Sequence, residues 1–138
     1  MNQGQANARQ LPAEDINAVI EANNSEEIYN TAIKYLGTPY CRGGESSRCF
    51  DCSGFTQFVY GKKNIDIART TYGQRDQARE VTREEAVKGD LVFFISNSGY
   101  VYHVGIYAGD GIILHSPKPG RSVKFETIWS SNVSYGRM

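Results

Sequence analysis

The sequence predicts an α+β fold with N-terminal helices packed on an antiparallel sheet. Three observations point there. Apolar residues recur at helical spacing in the first half of the chain, short β-rich runs take over from Leu91, and Ala108-Gly109-Asp110-Gly111 between two of those runs is a hairpin signal. Helices followed by strands, rather than alternating with them, argue for α+β. The 138 residues suit a single domain. A chain of that length buries roughly 68% of its unfolded surface, so its core needs no metal or disulfide.

Residues 1–24 read as a polar N-terminal arm with a helical stretch near Glu14 to Glu21, and residues 25–138 as the domain. The first strong helix is "SEEIYNTAIKYLG": Ser25 caps it, Glu26 and Glu27 suit its positive end, and Gly37 stops it before Pro39. Ile28, Ala32, Tyr35 and Leu36 form its buried stripe. "TPYCRGGESSRCF" reads as a loop. A second helix begins after Asp51, a good N-cap, with Phe55, Phe58 and Val59 on one face. "NIDIARTTYGQRDQAREV" reads as a looser stretch, and Thr82 with Glu85 as a capping box on a single turn. "LVFFIS" is wholly apolar and predicts a strand buried on both faces. "VYHVGIYAGDGIILHS" predicts a hairpin, "SVKFETI" a further strand and Trp129 to Met138 a last one, together an antiparallel meander.

Fifteen basic and fifteen acidic residues cancel, so no strong field gathers nucleic acid or anionic membrane, and no nucleic-acid partner is expected. No window approaches ~18 consecutive apolar residues, so no membrane span is expected. The start has no basic end followed by an apolar core, so no signal peptide is visible in it.

Chemistry concentrates in three cysteines and two histidines. Cys52 falls in the first turn of its predicted helix, where free N–H groups and the helix dipole favour a thiolate. Cys41 and Cys49 are read as packed, inert thiols, with a Cys41–Cys49 bridge as the lesser alternative. A zinc site built from Cys41, Cys49, Cys52 and a histidine lacks a second compact ligand pair. A thioredoxin-like reading of Cys49-x-x-Cys52 lacks the preceding strand. No metal is expected.

His103 and His115 lie on the two arms of the predicted hairpin, and whether they share a face depends on its loop. A two-residue Asp110-Gly111 turn pairs Ile106 with His115 and puts the imidazoles on opposite faces. A three-residue loop, Gly109-Asp110-Gly111, pairs Gly105 with His115 and puts them on one face as diagonal neighbours. If the two work together, the hairpin closes with an odd-numbered loop.

"AIKYLGTPYCRGGESSRCFDCSGFTQFVY", "IARTTYGQ", "VKGDLVFF", "YHVGIYAGDGIILHSP" and a Trp near the end resemble, in that order, the NlpC-type family of bacterial cell-wall cysteine peptidases. The resemblance runs from about Ser25 to Met138 and implies a papain-like fold for a catalytic domain over 25–138. It implies Cys52 as nucleophile, His103 as base and His115 as third member of a triad acting through an acyl-enzyme. It further implies that Tyr40, Asp51 and Ser53 recognise the free amine of a peptidoglycan stem peptide or muropeptide, cut between γ-D-Glu and the diamino acid. The corresponding expectations are no cofactor, a monomer and a cell-envelope location, whether periplasmic, cell-surface or secreted. Alternatives are a CHAP-like N-acetylmuramoyl-L-alanine amidase and a catalytically silent cell-wall-binding module. Cys41-Arg42 and Cys49 depart from the family pattern beside the presumed cleft, where they bear on substrate preference.

Overall fold

The computed structural model describes residues 13–138, so the N-terminal arm before Ala13 lies outside the described residues. Helix α1 (Ala13–Ala32) runs without a break across residues 24 and 25 and tightens into a 3-10 turn at Ile33–Tyr35. Ser25 therefore does not cap a helix start. It is buried within α1, where its hydroxyl donates to Asp90 Oδ1 at 3.1 Å. The expected stripe holds at Ile28 and Ala32, both buried, but not at Leu36, which is exposed. The 3-10 turn has a shorter period than the α-helix and rotates Leu36 away from the core.

The presumed loop after Pro39 contains a small hairpin, β1 (Glu45–Ser46) with β2 (Cys49–Phe50). Helix α2 (Cys52–Gly61) follows and buries Phe55 and Val59 completely, each stabilising by about 1.5–3 kcal/mol relative to exposure. Phe50 packs at 5.4 Å from Phe55 and 5.1 Å from Phe58, pinning the hairpin onto the helix. The "looser" stretch is ordered: Thr70 caps α3 (Thr71–Gln77) by accepting the Gly73 N–H, and β3 (Arg79–Val81) follows. Thr82 and Glu85 exchange the two hydrogen bonds of a capping box, at 2.9 and 3.1 Å.

The remaining strands are β4 (Leu91–Ile95), β5 (Val101–Gly109), β6 (Ile112–His115), β7 (Lys124–Thr127) and β8 (Val133–Arg137). They form a six-stranded sheet in the order β3-β8-β4-β5-β6-β7, each neighbouring pair antiparallel. The sheet is a meander only from β4 to β7, because β8 returns to insert between β3 and β4. As expected, β4 is buried on both faces. Leu91 and Phe93 meet Ile28, Ala32, Phe55 and Val59 from the helices, while Val92 and Phe94 join Val81, Ile113 and Tyr135 on the opposite face. Asp90, fully buried before β4, is held by Arg137 Nε and Nη2 at 2.9 and 2.8 Å and by the Val87 N–H at 2.8 Å. That cluster, with Ser25, ties the first helix to the last strand.

Candidate active site

Asp51 leaves the hairpin in extended backbone, and its Oδ1 accepts the Gly54 N–H at 2.6 Å, so α2 opens at Cys52. The loop before it sits against the helix start through two glycines. A Cβ on Gly54 would lie 1.9 Å from the Gly44 carbonyl oxygen, and one on Gly44 would lie 2.3 Å from Cys41 Sγ. The Asp51 N–H donates to that same Gly44 carbonyl at 2.9 Å.

Cys41 and Cys49 form a disulfide with their Cα atoms 5.5 Å apart, in place of the packed, inert thiols expected there. The β1–β2 hairpin folds the chain back, and the Cys41 N–H donates to Phe50 O at 3.1 Å, so the two residues meet across eight positions of chain. Both sulfurs are thereby consumed, which removes them as zinc ligands and leaves Cys52 as the free cysteine.

The hairpin brings the histidines together. The Gly109–Ile112 pair closes a two-residue turn, with Asp110 at φ 54° and Gly111 at φ 74°. A bulge between Tyr107 and Gly109 then supplies the odd residue, so Ile106 pairs with Leu114, and a Cβ on Gly105 would lie 3.2 Å from His115 Cβ. The parity argument holds, but a bulge meets it rather than a three-residue loop. His103 Nε2 lies 2.7 Å from His115 Nδ1, with the ring centroids 5.0 Å apart. His115 Nε2 lies 2.9 Å from Glu126 Oε1. Trp129 covers both imidazoles at 5.5 and 5.7 Å, is itself stacked on Phe94 at 4.1 Å, and donates its Nε1–H to the Tyr102 hydroxyl.

Helix α2 packs against β5, the strand that carries His103 and Val104. Burial raises the Cys52 thiol pKa above its ordinary value. The Val104 N–H opposes this, the Asp51 charge reinforces it, and the N–H groups of Ser53 and Cys52 itself oppose it further. The helix start thus favours the thiolate as expected, yet desolvation outweighs it. Burial, then the neighbouring His115, pushes His103 down to about 3, and burial lowers His115 against the pull of Glu126. Each shift favours the uncharged form of its group.

Tyr40, Asp51 and Ser53 gather on the cysteine side. The Tyr40 phenol pKa is raised by burial first and then by Cys52 and Asp51, which places it within electrostatic reach of both. Ser53 Oγ lies 3.4 Å from Asp51 Oδ1. Arg69, unmarked by its spacing in the sequence, binds Asp51 through Nη1 and Nη2 at 3.0 and 2.7 Å, Ser53 Oγ at 2.9 Å and Glu45 at 2.9 Å. Its appearance in "IARTTYGQ" was the available signal. A cleft of about 330 Å³ opens beside the histidines between Tyr102, Trp129, Lys118 and Glu126. A larger groove of about 680 Å³ runs past Glu80, Asp110 and Tyr135 and touches none of the predicted site residues, so size alone does not mark the site.

Known proteins share this arrangement of elements. The crystal structure of the NlpC/p60 domain of the peptidoglycan hydrolase SagA superposes with a TM-score of 0.75 at 39% identity, covering 83% of this chain and 98% of that one. An NlpC/P60 family protein from Bacillus cereus superposes with a TM-score of 0.76 at 36% identity, over 82% of this chain and 39% of that one. The fold is the papain-like α+β fold that the resemblance implied. In sequence, a γ-D-glutamyl-L-lysine dipeptidyl-peptidase of Bacillus cereus is 41% identical over 72% of this chain and 31% of its own length. A Bacillus subtilis protein of the same name is 36% identical over 78% of this chain and 37% of its length. The chain therefore spans little more than a third of these curated relatives. The profile of the NlpC/P60 family matches residues 37–135, from the end of the first helical segment into the last strand. This chain belongs to the NlpC/P60 family.

Proposed function

We propose that this chain is a cysteine peptidase domain that hydrolyses peptidoglycan stem peptides between γ-D-Glu and the diamino acid. The observation that carries the reading is the 2.7 Å approach of His103 to His115 on one face of the hairpin, whose strand β5 packs against the helix that opens at Cys52. The names of the relatives, two γ-D-glutamyl-L-lysine dipeptidyl-peptidases and a bifunctional muramidase/DL-endopeptidase of Bacillus subtilis, support the choice of bond.

In this mechanism His103 takes the proton from Cys52 Sγ as the sulfur attacks the carbonyl, and His115 fixes the orientation of the His103 ring. The Cys52 N–H, at the start of α2, donates to the developing oxyanion, a contact of a kind that typically contributes about 3 kcal/mol. The imidazolium then protonates the leaving amine, which departs as the C–N bond breaks and leaves a thioester. Water gives a proton to His103 as it attacks the thioester, and the C–S bond breaks to release the acid and restore the thiol. Tyr40, Asp51 and Ser53 receive the free amine of the stem peptide, with Arg69 holding Asp51 and Ser53 in place. The reaction so derived calls for no cofactor. We assign catalysis to residues 25–138 acting as a monomer on muropeptides in the cell envelope, although α1 crosses that boundary. Among the described residues no helix is long and apolar enough to cross a membrane.

Digestion of purified muropeptides followed by product masses tests the proposal. Cleavage after γ-D-Glu that vanishes in Cys52→Ala is the expected result. Release of intact stem peptide from the sugar would instead identify an amidase, and unchanged masses would leave only wall binding.

A further inference from the structure

We propose that Glu126 is a positioning residue, a fourth member behind the two histidines that sets which nitrogen of each ring carries the proton. The inference rests on the peptidase reading above and deepens it. Glu126 stands on the edge strand β7, opposite Ile113 and two residues from Lys124, which faces His115. Its Oε1 reaches His115 Nε2 at 2.9 Å from a side chain that is 41% exposed, whereas the His115 side chain is 1% exposed.

The proton order follows from donor and acceptor chemistry. An ionised carboxylate only accepts, so His115 Nε2 carries its hydrogen and His115 Nδ1 presents a lone pair. The 2.7 Å contact between His115 Nδ1 and His103 Nε2 holds one proton, which must then sit on His103 Nε2. His103 Nδ1, the ring nitrogen nearer the main chain, is left bare. With Nε2 engaged by His115, that is the one nitrogen of the His103 ring left to accept the Cys52 proton. In the opposite order His115 Nδ1 donates, His103 Nδ1 is protonated, and no lone pair is left to accept the thiol proton. Both orders satisfy the contact between the rings, and Glu126 is the group that distinguishes them.

The other charged groups around the pair do not set this order. Lys124 on β7 lowers the pKa of His115 by its charge, and Lys118 borders the cleft. Neither has a lone pair to offer as an ammonium. Trp129 and Tyr102 use their polar atoms on each other. When His103 gains the Cys52 proton at Nδ1, its Nε2–H keeps donating to His115, and no proton passes to Glu126. The carboxylate acts through its charge on the His115 dipole.

The untagged chain carries only these two histidines, so its imidazole nitrogen spectrum contains two spin systems. The expected wild-type pattern at neutral pH is a protonated Nε2 and a bare Nδ1 on both rings. Glu126→Leu should scramble that pattern and lower kcat by about 10–100-fold with KM held within about twofold. Glu126→Gln keeps an oxygen acceptor at the same reach and should restore kcat to within about fivefold of wild type. A protonated His115 Nδ1 in the wild type, or a Glu126→Leu variant with unchanged kcat, overturns the proposal. The wild-type spectrum needs no variant to fold and no substrate, so it judges Glu126 even if no muropeptide is cleaved, a result that would count against the peptidase reading alone.

Discussion

Asp51 and Arg69 meet through two parallel N–H···O bonds, 3.0 and 2.7 Å long, at the residue that caps the helix carrying Cys52. The guanidinium also reaches Ser53 and Glu45, so one side chain ties the β1–β2 hairpin, the cap and the first turn of α2 together. Lysine offers no planar fork and cannot reproduce this. Arg69→Lys should cost about 1–2 kcal/mol in urea unfolding, towards the low end for charge-assisted bonds because the side chain is 30% exposed. Steady-state kinetics on muropeptides should show KM rising more than kcat falls. Unchanged stability and KM would show that the fork does not organise the site.

Removing the Cys41–Cys49 bridge should weaken the fold without stopping the chemistry. A loop closed across eight positions contributes about 2.5 kcal/mol in the chain-entropy account. The double variant Cys41→Ser/Cys49→Ser should lose about that much in chemical denaturation, and reductant should do the same to the parent. Both should still turn over substrate. An inactive but folded double variant would assign these residues a part in the reaction.

Acid should destabilise the protein through its histidines before most carboxylates titrate. In the folded chain burial holds His103 down at about 3, whereas an unfolded histidine titrates near 6.5. The unfolded chain therefore binds more protons between those values. Stability is complete above about pH 6.5 and falls as the pH drops towards 3, by up to about 1.4 kcal/mol per pH unit for each such histidine. Urea midpoints near pH 7.5 and pH 5 should differ more for the parent than for His103→Gln. Equal differences would mean that His103 is not held neutral.

Trp129 shields the two imidazoles and stacks on Phe94 at 4.1 Å. Trp129→Ala should cost about 1 kcal/mol for the lost stack. It should also let water reach both rings, so their pKa values climb towards the ordinary histidine value in an NMR titration. Values that stay depressed would locate the desolvation in the sheet rather than in the indole.

The parts of the site that were legible in the sequence are those governed by local rules. Asp51 caps because a short carboxylate before an apolar run does so, and the two histidines share a face because strands alternate. The loop closure was misjudged because a bulge at Ala108 offsets a two-residue turn, and a bulge leaves no composition of its own. Helix α3 was invisible for a different reason. Tyr72 is exposed and the fully buried residue is Gln74, which donates to Ser53 O and Ala68 O and accepts from Thr56. A helix held by a polar core residue has no apolar stripe to read. Arg69 and Glu126 act on partners 18 and 11 positions away, distances that no periodicity marks.

The position of β8 constrains how the domain can be made. Residues 133–137 fill an interior place between β3 and β4, yet they follow every other strand of the sheet along the chain and leave the ribosome after them. Until they emerge, β3 has no partner and β4 offers a bare edge, so vectorial synthesis cannot complete the sheet piece by piece. Nascent chains stalled before residue 133 should stay protease-sensitive through β3 and β4, and resistance should arrive in one step once the tunnel clears that strand.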